Sequence, residues 1–263
     1  MKRKLITLAS SLLKFDLAIL FARFFLASQG IGYAIDVKDS GELKALKKVV
    51  KKNNPIVFDI GGNIGNFSEL VINNFDQSQI HIFEPSLSHF KILEERLGEY
   101  KERIFFNNIG LSNESTEAVL SKDFNVTGSA TLTSDKRLKN FDIKEKVILK
   151  KGSEYLLENG INHIDYMKID VEGWEMPVIL GFQDHLKNKL IDFIQFEVTP
   201  KTQDRRESFW DFFDYFTDLN YYVYLIKPNG NLIKIDKNEE VFYSYFPTNF
   251  LAVTKEKSSK NTD

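Results

Sequence analysis

From Ile56 onward, short apolar runs alternate with segments of helical period, and that alternation is the strongest constraint on the fold. "PIVFDI" predicts a buried strand and "NFSELVINNF" the helix that leaves it. "QIHIFEP" and "SLSHFKILEERLGEY" repeat the pair, the helix capped by Ser86 or Ser88, and "RIFFNNI" is a third strand. Further along, "SEYLLENG" is a helix, "IDYMKIDV" a strand and "WEMPVILGFQDHLKN" a helix that tolerates Pro177 in its opening turns. "IDFIQFEV" and the aromatic amphipathic helix "RRESFWDFFDYFTDLN" follow. Strands separated by helices in this way form a parallel sheet covered on both faces. The end of the chain departs from the rhythm: "YYVYLI", "KPNGN" and "LIKI" predict a hairpin around an Asn-Gly turn, and "NFLAV" a last strand. The expected fold class is therefore α/β, a doubly wound, mostly parallel seven-stranded sheet with an antiparallel C-terminal hairpin.

Three stretches lie outside this scheme. Between Gly110 and Gly152, "EAVLSKD" and "EKVILKK" read as strands around a polar loop, "NVTGSATLTS", whose Ser129 faces cofactor, acceptor or solvent. Residues 1–40 form an apolar helical extension, separated by Gly30, Gly32 and Gly41 from a main domain spanning 41–255; residues 256–263 are a polar tail expected to fray. The extension starts with Lys2, Arg3 and Lys4 and places Leu5, Leu8, Leu12, Phe15, Ile19, Ala22 and Leu26 at helical spacing. Lys14, Asp16 and Arg23 interrupt it, so no uncharged run reaches the ~18 residues of a membrane span. Three readings fit: a helix docked on the domain or on a second copy in a homo-oligomer, a helix lying on an anionic membrane surface, or a cleaved signal.

Composition narrows the functional classes. With a formal net charge of -2 and no long Lys/Arg block, binding driven by nucleic-acid phosphates is not indicated. Without cysteine the chain has no disulfide framework, no thiolate nucleophile and no zinc site of the Cys type, which suits a cytoplasmic protein, with peripheral membrane contact as the variant.

The loop after the first strand, "IVFDIGGNIGNF", carries the chemistry. Gly61 and Gly65 allow close approach of a ligand to the backbone and Gly62 a tight turn. The spacing is D-x-G-x-N-x-G, set by Asp59, Gly61, Asn63 and Gly65, rather than the G-x-G-x-x-G of a pyrophosphate site. An Asp59 carboxylate repels phosphate and pairs with an ammonium group. S-adenosyl-L-methionine has an ammonium, a sulfonium and no phosphate, so charge favours it over NAD. Glu84 ends the next strand, where an acid accepts ribose hydroxyls, and Asn107 or Asn108 bonds the adenine edge or closes a turn.

"FDIGGNIGNF", "IFEP", "NNIGLSN" and above all "YMKIDVEGWEMPVILGF" resemble the FkbM-type S-adenosylmethionine-dependent methyltransferases, from about Ile56 to Val198. K-I-D-V-E-G followed two residues later by Glu175 is the most specific element; Lys151-Gly152-Ser153 departs from a Leu-Asp pair common in the family. The resemblance implies a Rossmann-like class I methyltransferase fold and methyl transfer to a hydroxyl oxygen, often on a glycan or a natural product.

Methyl transfer is an in-line displacement, assisted by alignment and by a base for the hydroxyl proton. The four histidines fall outside the motifs; His81, His89 and His185 read as packing or surface, and His163 as a weak candidate. Asp170 and Glu172 close one strand and Glu197 the next, so Asp170 is the first choice for base and Glu197 the second, with Lys168 as an ionic partner. Glu172 alternatively caps the following helix. The three acids also suit a divalent cation, though no spacing demands a metal. Trp174, Trp210 and Phe212 pack in the core or stack on a sugar. Two other classes compete: a nicotinamide-dependent oxidoreductase or epimerase, which lacks the third glycine and a Tyr-x-x-x-Lys pair, and a non-catalytic membrane-associated module.

Overall fold

Alternating burial along the strands builds the architecture of the computed structural model, which describes residues 15–32, 38–122, 130–132, 143–237 and 247–261. The strands are β1 (Ile56–Ile60), β2 (Gln79–Phe83), β3 (Ile104–Asn107), β4 (Gly110–Ser112), β5 (Thr116–Lys122) and β6 (Ala130–Thr131). They continue with β7 (Ile143–Lys151), β8 (Ile164–Ile169), β9 (Ile191–Val198), β10 (Tyr221–Ile226), β11 (Leu232–Lys234) and β12 (Thr248–Thr254). The main sheet runs β11-β10-β12-β9-β8-β1-β2-β3. Its β9-to-β3 portion is parallel, and β12, β10 and β11 are antiparallel. The hairpin arm β11 is thus the eighth strand of a sheet whose other seven match the sequence reading.

The helices are α1 (Phe15–Ser28), α2 (Glu42–Val49), α3 (Asn66–Ile72), α4 (Leu87–Leu97) and α5 (Gly152–Glu158). After them come α6 (Glu175–Gly181), α7 (Gln183–Lys187), α8 (Pro200–Asp204), α9 (Phe209–Asp218) and α10 (Lys255–Asn261). Side-chain parity divides the core in two. Phe58, Met167 and Phe196 point to the layer of α5, α6 and α9, where Tyr155, Val178 and Phe212 meet them. Val57, Tyr166 and Phe193 point to the layer of α2, α3 and α4, against Leu46, Val71 and Leu93. Ser86 caps α4 by accepting from the His89 N–H, and Ser208 with Asp211 forms a capping box on α9.

The two strand-like stretches between Gly110 and Gly152 pair as β5 and β7 in a separate sheet of order β4-β7-β5-β6. Ser129 and residues 1–14 lie outside the described residues. The tail expected to fray instead forms α10: Ser258 is buried with its Oγ 2.6 Å from the Tyr224 hydroxyl, and Lys257 pairs with Asp192 at 3.0 Å. Tertiary partners offset the entropy of ordering a polar segment.

Among the described residues, α1 is tied to the domain at its C-terminal end. The Gly32 N–H donates to the Pro247 carbonyl at 3.0 Å, Ile31 bridges to Thr248, and Lys227 Nζ donates to Gln29 Oε1 at 2.8 Å. Thr248 pairs with Val198 at the end of β9, so this attachment sits on the edge of the sheet where the parallel strands finish. No helix among the described residues is long and apolar enough to cross a membrane.

Candidate active site

Parallel strands place their C-terminal ends on one edge, and the crevice beyond that edge is where open α/β sheets bind ligands. A cleft opens there. Ile60, Gly61 and Asn63 wall it from β1 and its loop, Phe83, Glu84 and Pro85 from β2, and Asp170, Glu172 and Trp174 from β8. His89 of α4 joins that wall, and Leu120 and Leu132 reach it from the second sheet.

The glycine loop folds back on the neighbouring strands and consumes its own amides. Gly61 N–H and Gly62 N–H both donate to the Phe83 carbonyl, Asn63 N–H to Glu84 Oε2 at 2.9 Å, and Gly65 N–H to the Gly62 carbonyl. Those four amides are therefore spent, and they form no cradle for a pyrophosphate. Gly61 sits at φ 85° with its Cα against β8; a Cβ there would stand 1.9 Å from the Asp170 carbonyl oxygen. Glu84 takes the Asn63 and Ser86 N–H groups, the latter at 2.8 Å, and its carboxylate faces the cleft near His89. An acid-walled cleft with these four loop amides engaged suits a cationic ligand.

Strand parity sends Asp59 elsewhere. It points with Val57 into the α2–α3 layer, fully buried, where Ser68 Oγ donates to Oδ2 at 2.6 Å. Its register partner Lys168 lies beside it, and Lys168 Nζ donates to Asp170 Oδ2 at 2.8 Å. One strand further, Gln195 donates to Glu42 Oε2 and accepts from the Tyr166 hydroxyl. A buried polar row thus runs beneath the cleft. Burial raises the carboxyl pKa of Asp59 and of Glu42, with Lys168 opposing the shift in each. For Lys168, burial pulls the pKa down, but Asp170, Glu42 and Asp59 more than offset it, so the ammonium persists.

The turn after β8 gathers the remaining acids. Glu172, at φ 56°, accepts from Lys201 Nζ at 2.8 Å instead of capping a helix. Glu175, the first residue of α6, braces the preceding turn: its Oε1 accepts from the N–H groups of Val171 (3.2 Å) and Gly173 (3.0 Å). Burial pushes the Glu175 pKa up to about 8. Glu197 closes β9 beside this turn, and burial followed by repulsion from Asp170 and Glu172 drives its pKa well above the carboxylate range.

Comparison with known proteins now decides the family. The model of the methyltransferase FkbM domain matches residues 59–223, more than half of the chain. The chain belongs to the FkbM family of S-adenosylmethionine-dependent methyltransferases. Methyltransferase sdnD of Sordaria araneosa is 27% identical over 160 residues, covering 50% of this chain and 62% of that protein. Methyltransferase 1 of Beauveria bassiana is 26% identical over 165 residues, covering 56% and 66%. This chain therefore matches less than two thirds of the length of either relative. The 2-O-methyltransferase NoeI of Sinorhizobium fredii is 25% identical over 169 residues, covering 57% and 67%. Among solved structures, a methyltransferase FkbM from Methylobacillus flagellatus is similar at 12% identity and a TM-score of 0.49, covering 76% of this chain and 44% of that one.

Of the residues singled out in sequence, the cleft of this FkbM chain brings together Gly61, Asn63, Glu84, Asp170 and Glu172. Asp59 lies beneath it, and Gly65 packs on Leu93 and Leu97. Asn108 Nδ2 donates to the carbonyls of Glu84 and Pro85, the turn-closing alternative of its two readings. His163 lies at the opposite edge of the sheet with Asp165 and Asp192, a grouping of metal-ligand type whose carboxylates are held by Lys52 and Lys257. His81 packs between Phe58 and Phe105, where burial lowers its pKa to about 4. Sequence reasoning missed His89, although its place three residues after the Ser86 cap turns it toward Glu84. It also missed Leu120 and Leu132, which no local pattern assigns to a cleft.

Proposed function

We propose that this chain methylates a hydroxyl oxygen of a saccharide, with S-adenosylmethionine as donor. The observation that carries the reading is the acid-walled cleft whose four loop amides are already spent, which fits a cationic adenosyl donor and disfavours a dinucleotide. Bound there, S-adenosylmethionine supplies an electrophilic methyl group on a sulfonium. Glu84 accepts the ribose hydroxyls, each charge-assisted bond contributing about 1.5–3 kcal/mol. Gly61 gives close approach at the junction of β1 and β8.

Asp170, fixed by Lys168 at the cleft wall, holds the acceptor hydroxyl in line. Glu197, at the end of β9 beside the turn after β8, takes its proton; burial and the neighbouring acids raise its carboxyl above the ordinary carboxylate range, which makes it the stronger base of the two. This ranking reverses the one the sequence suggests. Trp174, its Nε1–H donating to Ser112 Oγ at 3.2 Å, offers a fixed aromatic face to a sugar ring. The relative named a 2-O-methyltransferase supports oxygen as the atom methylated. Incubation with labelled methyl donor and a panel of glycan fragments tests the reading. Labelled glycan is the expected product; label transferred only to non-saccharide acceptors overturns the substrate class, and stabilisation by NAD instead of S-adenosylhomocysteine overturns the donor.

A further inference from the structure

Helix α1 carries an apolar arc that nothing among the described residues covers. Leu17, Leu20, Phe21, Phe24 and Phe25 fall within about 140° of one another at 100° per residue, and Phe24 and Phe25 are 68% and 65% exposed. Asp16 and Arg23 lie together just outside this arc, beside Leu20, and Ile19, 39% exposed, lies opposite it. The fourteen described residues of the helix span about 21 Å, short of a ~30 Å hydrocarbon core, and an exposed apolar arc of that length suits the plane of an interface.

Charge selects the occupant. The first 32 residues hold five basic side chains (Lys2, Arg3, Lys4, Lys14 and Arg23) and one acid, Asp16, whereas the remainder holds 30 basic and 36 acidic ones. A Phe- and Leu-rich helix preceded in sequence by Lys2, Arg3, Lys4 and Lys14, on an otherwise acidic chain, suits anionic headgroups with its apolar face at the acyl boundary. Its hydrogen-bonded attachment to the domain among the described residues, through Gln29, Ile31 and Gly32, is on the edge of the sheet that carries the cleft.

We propose that α1 lies in the headgroup layer of an anionic bilayer and holds the catalytic edge of the sheet at the membrane surface. The full chain is tested by flotation with phosphatidylglycerol-containing vesicles and with phosphatidylcholine alone, beside Phe21→Ser/Phe24→Ser/Phe25→Ser. Wild type should partition onto the anionic vesicles at least about tenfold better, and less so as salt rises from ~0.1 M to ~1 M and the Debye length falls from ~10 to ~3 Å. The triple variant should lose roughly a hundredfold or more in partition, with melting temperature and S-adenosylhomocysteine binding unchanged. If the triple variant melts early, Phe24→Ser alone should still lower partition several-fold. Equal partition of wild type and Phe24→Ser, or no partition of wild type, overturns the proposal. So does a wild-type dimer that the variant converts to monomer without any vesicle binding, which would mean that a second copy covers the arc.

Discussion

Replacing Glu175 by Gln should stabilise the protein at neutral pH, although the side chain lies at the centre of the most specific motif. Glu175 is completely buried, and its Oε2 has no hydrogen-bond partner among the described residues. Burial raises its pKa from 4.5 to about 8, and Asp170 adds to the shift, while the N–H groups of Gly173 and Val171 oppose it. At pH 7 the folded chain therefore keeps this carboxyl protonated, whereas the unfolded chain ionises it. Each unit between pH and the unfolded pKa is worth 1.36 kcal/mol, so the 2.5 units from 4.5 to 7 cost about 3 kcal/mol. The stability is fully present below pH 4.5, is lost as pH rises from there to about 8, and changes no further above it. Gln has the same shape, retains an oxygen for the two backbone donors and does not titrate. For a chain of this size about 3 kcal/mol corresponds to roughly 6–12 °C in Tm. Thermal melts of both proteins at pH 5, 7 and 8 check this. A difference that does not grow with pH, or a variant less stable at pH 7, would refute the assignment of a buried, protonated Glu175.

Gly61→Ala should abolish cofactor binding and destabilise by several kcal/mol, since it combines a positive φ with a Cβ 1.9 Å from a backbone oxygen of the adjacent strand; calorimetry and melting curves check both. Glu84→Ala should weaken S-adenosylhomocysteine binding at least about tenfold through the lost ribose bonds, and an unchanged Kd removes Glu84 from the donor site. The two strand-end acids separate by pH profile. In wild type, kcat/KM should rise with pH through the raised Glu197 pKa. Glu197→Gln should erase that limb and lower kcat by ~10²–10⁴, while Asp170→Asn keeps the limb and raises KM. The reverse pattern makes Asp170 the base.

Local chemistry was enough to delimit most of the elements. The period of the apolar residues set the strands of the main sheet and their helices, Ser86 or Ser88 announced a helix start that the structure caps with Ser86, and Asn229-Gly230 announced the hairpin. Because alternating strands and helices force the strand ends onto one edge, the sequence alone groups Glu84, Asp170 and Glu172, and all three line the cleft. The tail and the second sheet resisted, since α10 depends on Tyr224 and Asp192, and β5 finds its partner across a long polar loop.

What the sequence by itself determined, then, is the order of elements, the glycine loop and the edge where the acids collect, all encoded in residues near one another along the chain. Only the tertiary structure decided which acids see the cleft and which are charged. Asp59 and Glu84 end neighbouring strands, yet parity and register put one against Ser68 and Lys168 in the core and the other on the wall. Glu175 and Glu197 carry raised pKa values because helices and strands distant in sequence exclude water from them and crowd like charges together. Desolvation and charge coupling act through space, and no periodicity along the chain records them.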